Sequence, residues 1–302
     1  MTTHFVGTCS WTDKTLLTEG NFYPPTIKNA AERLQFYASH FNTVEVDSSF
    51  YAFPSEHNAR LWVERTPSHF LFNLKAFSLF TFHHTTTRNI PSFLLPELPQ
   101  NAQEENSLNA RTIPREFLAL ILQAFLKSTL PLKESQKLGY ILFQFPPWFQ
   151  EGKDTRAYLE WLREQSEGFS IAIEFRHRSW LETPMREKTF TLLQKLRFAY
   201  VCVDEPQLSW TVPPVVARTA NQMVIRFHGR NTIAWQDHHA SIWEKFNYLY
   251  QEKELKQWLR VLQKPSQEAE TVFLMFNNCF RDYAIRNAKM MQALLFAPDH
   301  PG

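Results

Sequence analysis

The feature that most constrains this chain is a rhythm. Eight times a short run rich in β-branched and aromatic residues appears, and most of these runs are followed by an amphipathic helical pattern. The strand patterns cover 4–11, 43–51, 70–77, 138–145, 169–176, 198–204, 222–230 and 271–278. Helical patterns cover about 29–41, 55–65, 114–127, 154–164, 184–196, 252–262 and 283–296. Strands alternating with helices imply parallel pairing through helical crossovers, and eight such units predict a TIM-type (β/α)8 barrel. A doubly wound open sheet is the alternative. The 302 residues suit one barrel domain spanning 1–302. Two regions interrupt the rhythm: an insertion at about 78–113 after the third strand, and the segments 205–221 and 231–250 around the seventh. Loops of that length between strand and helix are expected to be lids or binding loops.

Composition narrows the chemistry. Apolar residues make up 44% and aromatics 15%, so a large core is expected. Only 7 glycines are present, and neither GxGxxG nor GxxxxGK[ST] occurs, which argues against glycine-rich nucleotide loops. With 32 basic and 30 acidic residues, bulk charge predicts no polyanionic partner, so any such preference must come from a local cluster. Cys9, Cys202 and Cys279 are odd in number, far apart and set in apolar runs, as expected of reduced thiols in a cytoplasmic protein. No signal peptide pattern and no membrane-length apolar stretch is visible, so a cytoplasmic chain without a membrane partner is expected.

The strand ends carry the candidate site. The segment IAIEFRHRSW, 171–180, begins as a buried strand and ends in a carboxylate, guanidiniums, an imidazole and an indole. Alternate residues of a strand face opposite ways, so parity sorts each strand into an apolar set and a charged set. On the second strand Val44 and Val46 oppose Glu45 and Asp47, and on the third Phe72 and Leu74 oppose Asn73 and Lys75. On the fifth, Ile173 and Phe175 oppose Glu174 and Arg176; on the sixth, Val203 opposes Asp204. On the seventh, Ile225 and Phe227 oppose Arg226, His228 and Arg230. The charged sets are expected inside the barrel near the C-terminal strand ends, where such folds place their sites.

Arg176, Arg226 and Arg230 with Lys75 form a predicted anion clamp, since guanidiniums match phosphate and carboxylate geometry. Asn277 and Asn278 add neutral hydrogen-bonding groups, and Trp180 a ring for stacking; Trp11, Phe50, Tyr51 and Trp210 are further ring candidates, with ordinary packing as the alternative. Glu45, Glu174, His177, Asp204 and His228 are the candidate catalytic groups for proton transfer. No cofactor or metal site is expected from these patterns; a divalent ion held by Glu45, Glu174 and Asp204 stays open as an alternative. His83, His84, His238 and His239 read as solvated loop side chains. Against every functional assignment stands a structural one, in which interior charges simply pair with each other.

The segments GTCSW, FYPP, FNTVEVDSSFYAFP, TPSHFLFNLKA, EFRHRSW, VIRFHGR and FNN, in that order, closely resemble the YecE-like proteins, the domain-of-unknown-function family numbered seventy-two. The resemblance spans Gly7 to the last helix and implies a single TIM-type barrel, but no activity. Positions matching the family's motifs are Glu45, Lys75, Glu174, Arg176, His177, Trp180, Asp204, Arg226, His228, Arg230 and Asn278. The chain departs from the pattern at Asp47, where Asn is usual, and at Cys9. A looser similarity to metal-dependent barrels of the endonuclease IV and xylose isomerase type is an analogy of fold only.

The leading expectation is a hydrolase-like enzyme acting on a phosphate- or carboxylate-bearing substrate, a nucleic acid or a phosphosugar. The alternatives are a non-catalytic module binding nucleic acid or an anionic metabolite, and a structural protein. Oligomeric state is left open.

Overall fold

A computed structural model describes residues 2–100 and 106–296. Residues 101–105 of the predicted insertion lie outside the described residues, as do the last six. The strands are β1 (Thr3–Thr8), β2 (Thr43–Val46), β3 (Leu71–Lys75), β4 (Leu138–Gln144), β5 (Ile171–Glu174), β6 (Ala199–Asp204), β7 (Gln222–Phe227) and β8 (Thr271–Phe276). They follow the order β1-β8-β7-β6-β5-β4-β3-β2, and the registered pairs are parallel. Between them run α1 (Lys14–Glu19), α2 (Ala30–Ala38), α3 (Glu56–Glu64), α4 (Arg115–Ser128), α5 (Leu130–Glu134), α6 (Lys153–Gln165), α7 (Met185–Lys195), α8 (Thr232–Gln236), α9 (Ile242–Lys245), α10 (Glu252–Ser266) and α11 (Tyr283–Phe296). This is the (β/α)8 barrel fold class that the strand–helix rhythm predicts.

Local sequence explains the boundaries. Asn29 and Glu32 form a reciprocal capping box at the start of α2, and Ser55 caps α3 by accepting from the Asn58 amide. In α4, Phe117, Leu118, Ile121, Leu122, Phe125 and Leu126 are buried at helical spacing, which turns the stripe toward the core. Pro146 and Pro147, which lack an amide hydrogen, follow β4 after the single residue Phe145.

Two compact units divide the chain: Met1–Glu45 with Ala199–Gly302, and Val46–Phe198. In the first, β1, β8, β7 and β6 pair in sequence, with Gly7 opposite Met275 and Asp204 opposite Phe227. A Cβ on Gly7 would lie 2.1 Å from the Thr43 carbonyl oxygen, so only glycine allows this approach of β1 to β2. Stacked Phe227 and Phe276, with centroids 4.6 Å apart, form part of the unit's core, and Tyr250 and Trp258 pack edge-on against Phe227.

In the second unit β4 pairs with both β3 and β5. Its core is strongly aromatic: Phe77, Phe80 and Phe125 pack edge to face, while Phe145, Phe149, Phe175 and Trp180 stack nearly parallel. Each buried ring is worth about 1.5–3 kcal/mol of burial.

The alternating pattern 43–51 does not continue as a strand. β2 stops at Val46 and a 3-10 turn occupies Asp47–Phe50. The buried Ser49 hydroxyl lies 2.6 Å from the carbonyl oxygens of both Val46 and Lys75 and donates between them, which closes the turn and ties it to the end of β3.

Candidate functional site

The residues singled out at the strand ends fall into two clusters, one in each unit. In the first unit the charges are paired. The Arg226 Nη2 donates to Glu45 Oε1 at 2.5 Å, both side chains fully buried, and lies 3.5 Å from the Cys9 sulfur. Beyond β7 the chain turns at Gly229, whose φ of 88° is glycine's natural territory. That turn presents Arg230 to Asp204: Nε reaches Oδ1 at 2.8 Å and Nη2 reaches Oδ2 at 2.7 Å. Trp258 Nε1 donates to the same Oδ2, and the remaining Arg230 arm meets Glu254 at 3.1 Å. Hydrogen bonds from Arg230 to Asp204 raise the guanidinium's affinity for its proton further. Burial first, then Glu254, pushes the Tyr248 hydroxyl up to about 12.

The remaining first-unit candidates serve as ties. Asn277 Nδ2 donates to His228 Nδ1 at 2.9 Å. Asn278 donates to the Tyr248 carbonyl and to Asn287 Oδ1, at 2.8 and 2.9 Å. Asn287 in turn bonds the backbone of Tyr250, so this loop is pinned to α11. Cys9 and Cys202 are buried and Cys279 is half-buried; burial pushes the Cys202 thiol far above its usual range.

The second unit differs. Glu174 and Arg176, same-side neighbours at the end of β5, meet at 2.5 Å in a buried ion pair. Lys75, at the end of β3, is half-buried and forms no ion pair among the described residues. Its ammonium sits 4.7 Å above the Phe50 ring that the 47–50 turn brings over it. The same turn presents Asp47, whose Oδ1 is buried and has no hydrogen-bond partner among the described residues.

His83 completes this cluster. After β3 a 3-10 turn over Ser78–Thr81 ends at Phe82 in the left-handed region, φ 60°, a conformation uncommon for a bulky residue. Packing holds it there: the Phe82 ring lies 4.6 Å from Tyr158 and 5.2 Å from Phe149. The turn sets His83 with Nδ1 2.9 Å from Thr81 Oγ1 and its ring 5.0 Å from Phe50. Burial, reinforced by Lys75 and then Arg176, pulls its pKa down to about 4, so the imidazole is neutral at neutral pH. Trp148, following the two prolines, stands 5.6 Å from His83 with its indole nitrogen donating to the Phe82 carbonyl at 3.3 Å.

His177 and Trp180 take other places. His177 Nδ1 lies 2.9 Å from Ser179 Oγ and accepts from the Ser179 amide, capping the turn Arg178–Trp180, and burial lowers its pKa. Trp180 is fully buried, its ring 4.2 Å from Phe175 and its Nε1 bonded to the Phe149 carbonyl. Sequence reasoning passed over His83 and Trp148. The doublet His83–His84 carries no spacing signal, and only the FQFPPW run, an aromatic following a double proline at a strand end, could have marked Trp148. Among the described residues no three His, Cys, Asp or Glu gather as metal ligands, and no helix is long and apolar enough to cross a membrane.

Comparison with known proteins places these residues in a family. The family model described as "Protein of unknown function DUF72" matches residues 5–301. The UPF0759 protein YunF of Bacillus subtilis strain 168 is 34% identical over 297 residues, spanning 96% of this chain and 94% of that one. A DUF72 family protein from Enterococcus faecalis V583, in a crystal structure at 3.10 Å, superposes with a TM-score of 0.78 at 28% identity over 99% of both chains. One from Thermotoga maritima MSB8 gives a TM-score of 0.74 at 28% identity over 97% of this chain and 99% of the other.

Proposed function

Since this chain belongs to the DUF72 family, which its sequence matches almost end to end, we propose that it binds a phosphate- or carboxylate-bearing small molecule at Lys75 and Arg176 and acts on it as a hydrolase-like enzyme. The observation that carries the binding half is Lys75: a half-buried cation with no ion pair among the described residues, near an imidazole that burial, then Lys75 and Arg176, keep neutral. A half-buried cation without a carboxylate partner keeps its charge available, and an anionic ligand supplies that partner. Arg226 and Arg230, which the sequence groups with Lys75, are bound to carboxylates in the other unit and are left out of the ligand's immediate contacts, while Arg176, itself paired with Glu174, contributes through its charge on His83.

A second observation favours turnover over simple binding. His83 is neutral at working pH, and its ring nitrogen other than Nδ1 has no hydrogen bond among the described residues, which is the state a general base needs. In this reading the cations hold the anion while His83 takes a proton from an attacking water. Reduced thiols fit a cytoplasmic setting.

Titration with sulfate and inorganic phosphate, followed by melting temperature and calorimetry, tests the binding half. Lys75→Met should weaken either anion by about ten- to a hundredfold, the size of a charge-assisted hydrogen bond. If neither anion binds the unmutated chain, the reading fails. For turnover, His83→Gln should abolish hydrolysis of a phosphoester while leaving sulfate affinity within about threefold.

A further inference from the structure

We infer that the anion held at Lys75 is the phosphate of a small molecule that also carries a flat heteroaromatic ring, a nucleoside monophosphate being the simplest case, and that Trp148 is the stacking surface for that ring. The inference rests on the anion-binding reading above and names the ligand class for the same cluster.

The geometry is a row of four rings. Tyr51 meets Phe50 at 5.1 Å and 86°, Phe50 meets His83 at 5.0 Å and 79°, and His83 meets Trp148 at 5.6 Å and 68°. Each contact is edge to face, the arrangement the ring quadrupoles favour. The inner rings are half-buried, whereas the outer two, Tyr51 and Trp148, are 64% and 52% exposed. Lys75 covers one face of Phe50, so that inner ring is occupied by the cation. The exposed indole has no such cover among the described residues. It lies one ring, His83, out from Lys75 and Arg176, the two cations that act on that imidazole.

Trp148 is also held in place. Its indole nitrogen donates to the Phe82 carbonyl, and Phe82 is locked by its packing against Phe145, Phe149 and Tyr158. An exposed indole normally wanders among rotamers and uses its N–H on water. Here the polar atom is satisfied inside the protein and the two prolines before it stiffen the backbone. A large apolar face fixed in the open next to cations is preorganised for a ring attached to an anion, because little rotamer freedom remains to be lost on binding.

The chemistry selects within that class. A phosphate dianion offers three oxygens and two charges, which suits Lys75 and Arg176, the two cations that act on His83. A polymer is disfavoured: strand-binding proteins place a cation at phosphate after phosphate, and this cluster offers one ammonium without a carboxylate partner in a chain of net charge +2.

The test compares AMP, TMP, ribose 5-phosphate, inorganic phosphate and a short oligothymidylate by calorimetry on the full chain, with Trp148→Leu and Trp148→Phe variants. AMP should bind about tenfold or more tightly than ribose 5-phosphate, the scale of one base–aromatic stack. Trp148→Leu should remove that preference while leaving ribose 5-phosphate unchanged, and Trp148→Phe should restore part of it. If ribose 5-phosphate binds but AMP binds no better, the ring inference is overturned and the anion reading stands. If no phosphate binds at all, the anion reading itself falls and takes the inference with it. Oligothymidylate binding more tightly than TMP would overturn the assignment to a small molecule. A preference for AMP that survives in Trp148→Leu would overturn Trp148 as the stacking surface.

Discussion

Lys75 and Arg226 are both cations at strand ends, and their surroundings make opposite demands on stability. Arg226 is fully buried against Glu45. Arg226→Met should therefore destabilise the chain by about 3–5 kcal/mol, because it strands a buried carboxylate; denaturant unfolding measures this. Lys75 leaves no carboxylate behind, so Lys75→Met should change stability by less than about 1 kcal/mol, the size of its contact with Phe50. A change as large as that of Arg226→Met would mean Lys75 is a structural cation. His83 adds a pH dependence with a definite sign. Its folded pKa of about 4 lies below the ordinary 6.5, so the folded state holds fewer protons between those values, and the stability it supports is lost as pH falls through that window. A bound anion offsets Lys75 from β3 and Arg176 from the β5 end, the two charges facing His83; Thr81, Phe50 and Trp148 supply its remaining, uncharged surroundings. Sulfate binding should then draw a proton onto His83 and tighten from about pH 7 to about pH 5, and His83→Gln should flatten that profile. None of this was legible in the sequence, where His83 reads as a solvated loop side chain because FHHTTT has no periodicity, whereas the turn after the left-handed Phe82 sets its ring against Phe50.

At the scale of elements, strand identity was legible and strand length was not. The pattern VEVDSSFY keeps alternating past Val46, but two-residue alternation cannot distinguish a strand from a turn whose polar groups bond the backbone. Ser49 makes that difference through two carbonyls, an interaction outside any periodicity. Ser49→Ala should cost about 1 kcal/mol and weaken sulfate binding at the same time, by releasing Phe50 from above Lys75 without touching a charge. Unchanged sulfate affinity in that variant would show that the turn does not shape the cluster. The 78–113 insertion reads as a lid or binding loop from its length, polarity and prolines, and in the structure Ser78, Leu79, Phe80 and Thr81 are all buried and Leu94 and Leu98 lie under 5% exposed. Its opening stretch is core, and it is the part that delivers His83.

For the whole molecule, the alternation of strands and helices carried the (β/α)8 fold in full, because parallel pairing and right-handed crossovers leave few other solutions. The charged parity sets were legible as well. Pairing within them was not, because which guanidinium meets which carboxylate depends on register and on turns such as the one at Gly229. Gly7→Ala should be among the most damaging single changes, at least about 2 kcal/mol, since its methyl would occupy the Thr43 carbonyl. The positions of the three thiols have a practical consequence. Cys9, Cys202 and Cys279 all belong to the unit formed by the two ends of the chain, and Val46–Phe198 contains none. A maleimide added to the native chain will therefore modify Cys279 first, and the slower consumption of the two buried thiols will clock the opening of that unit alone.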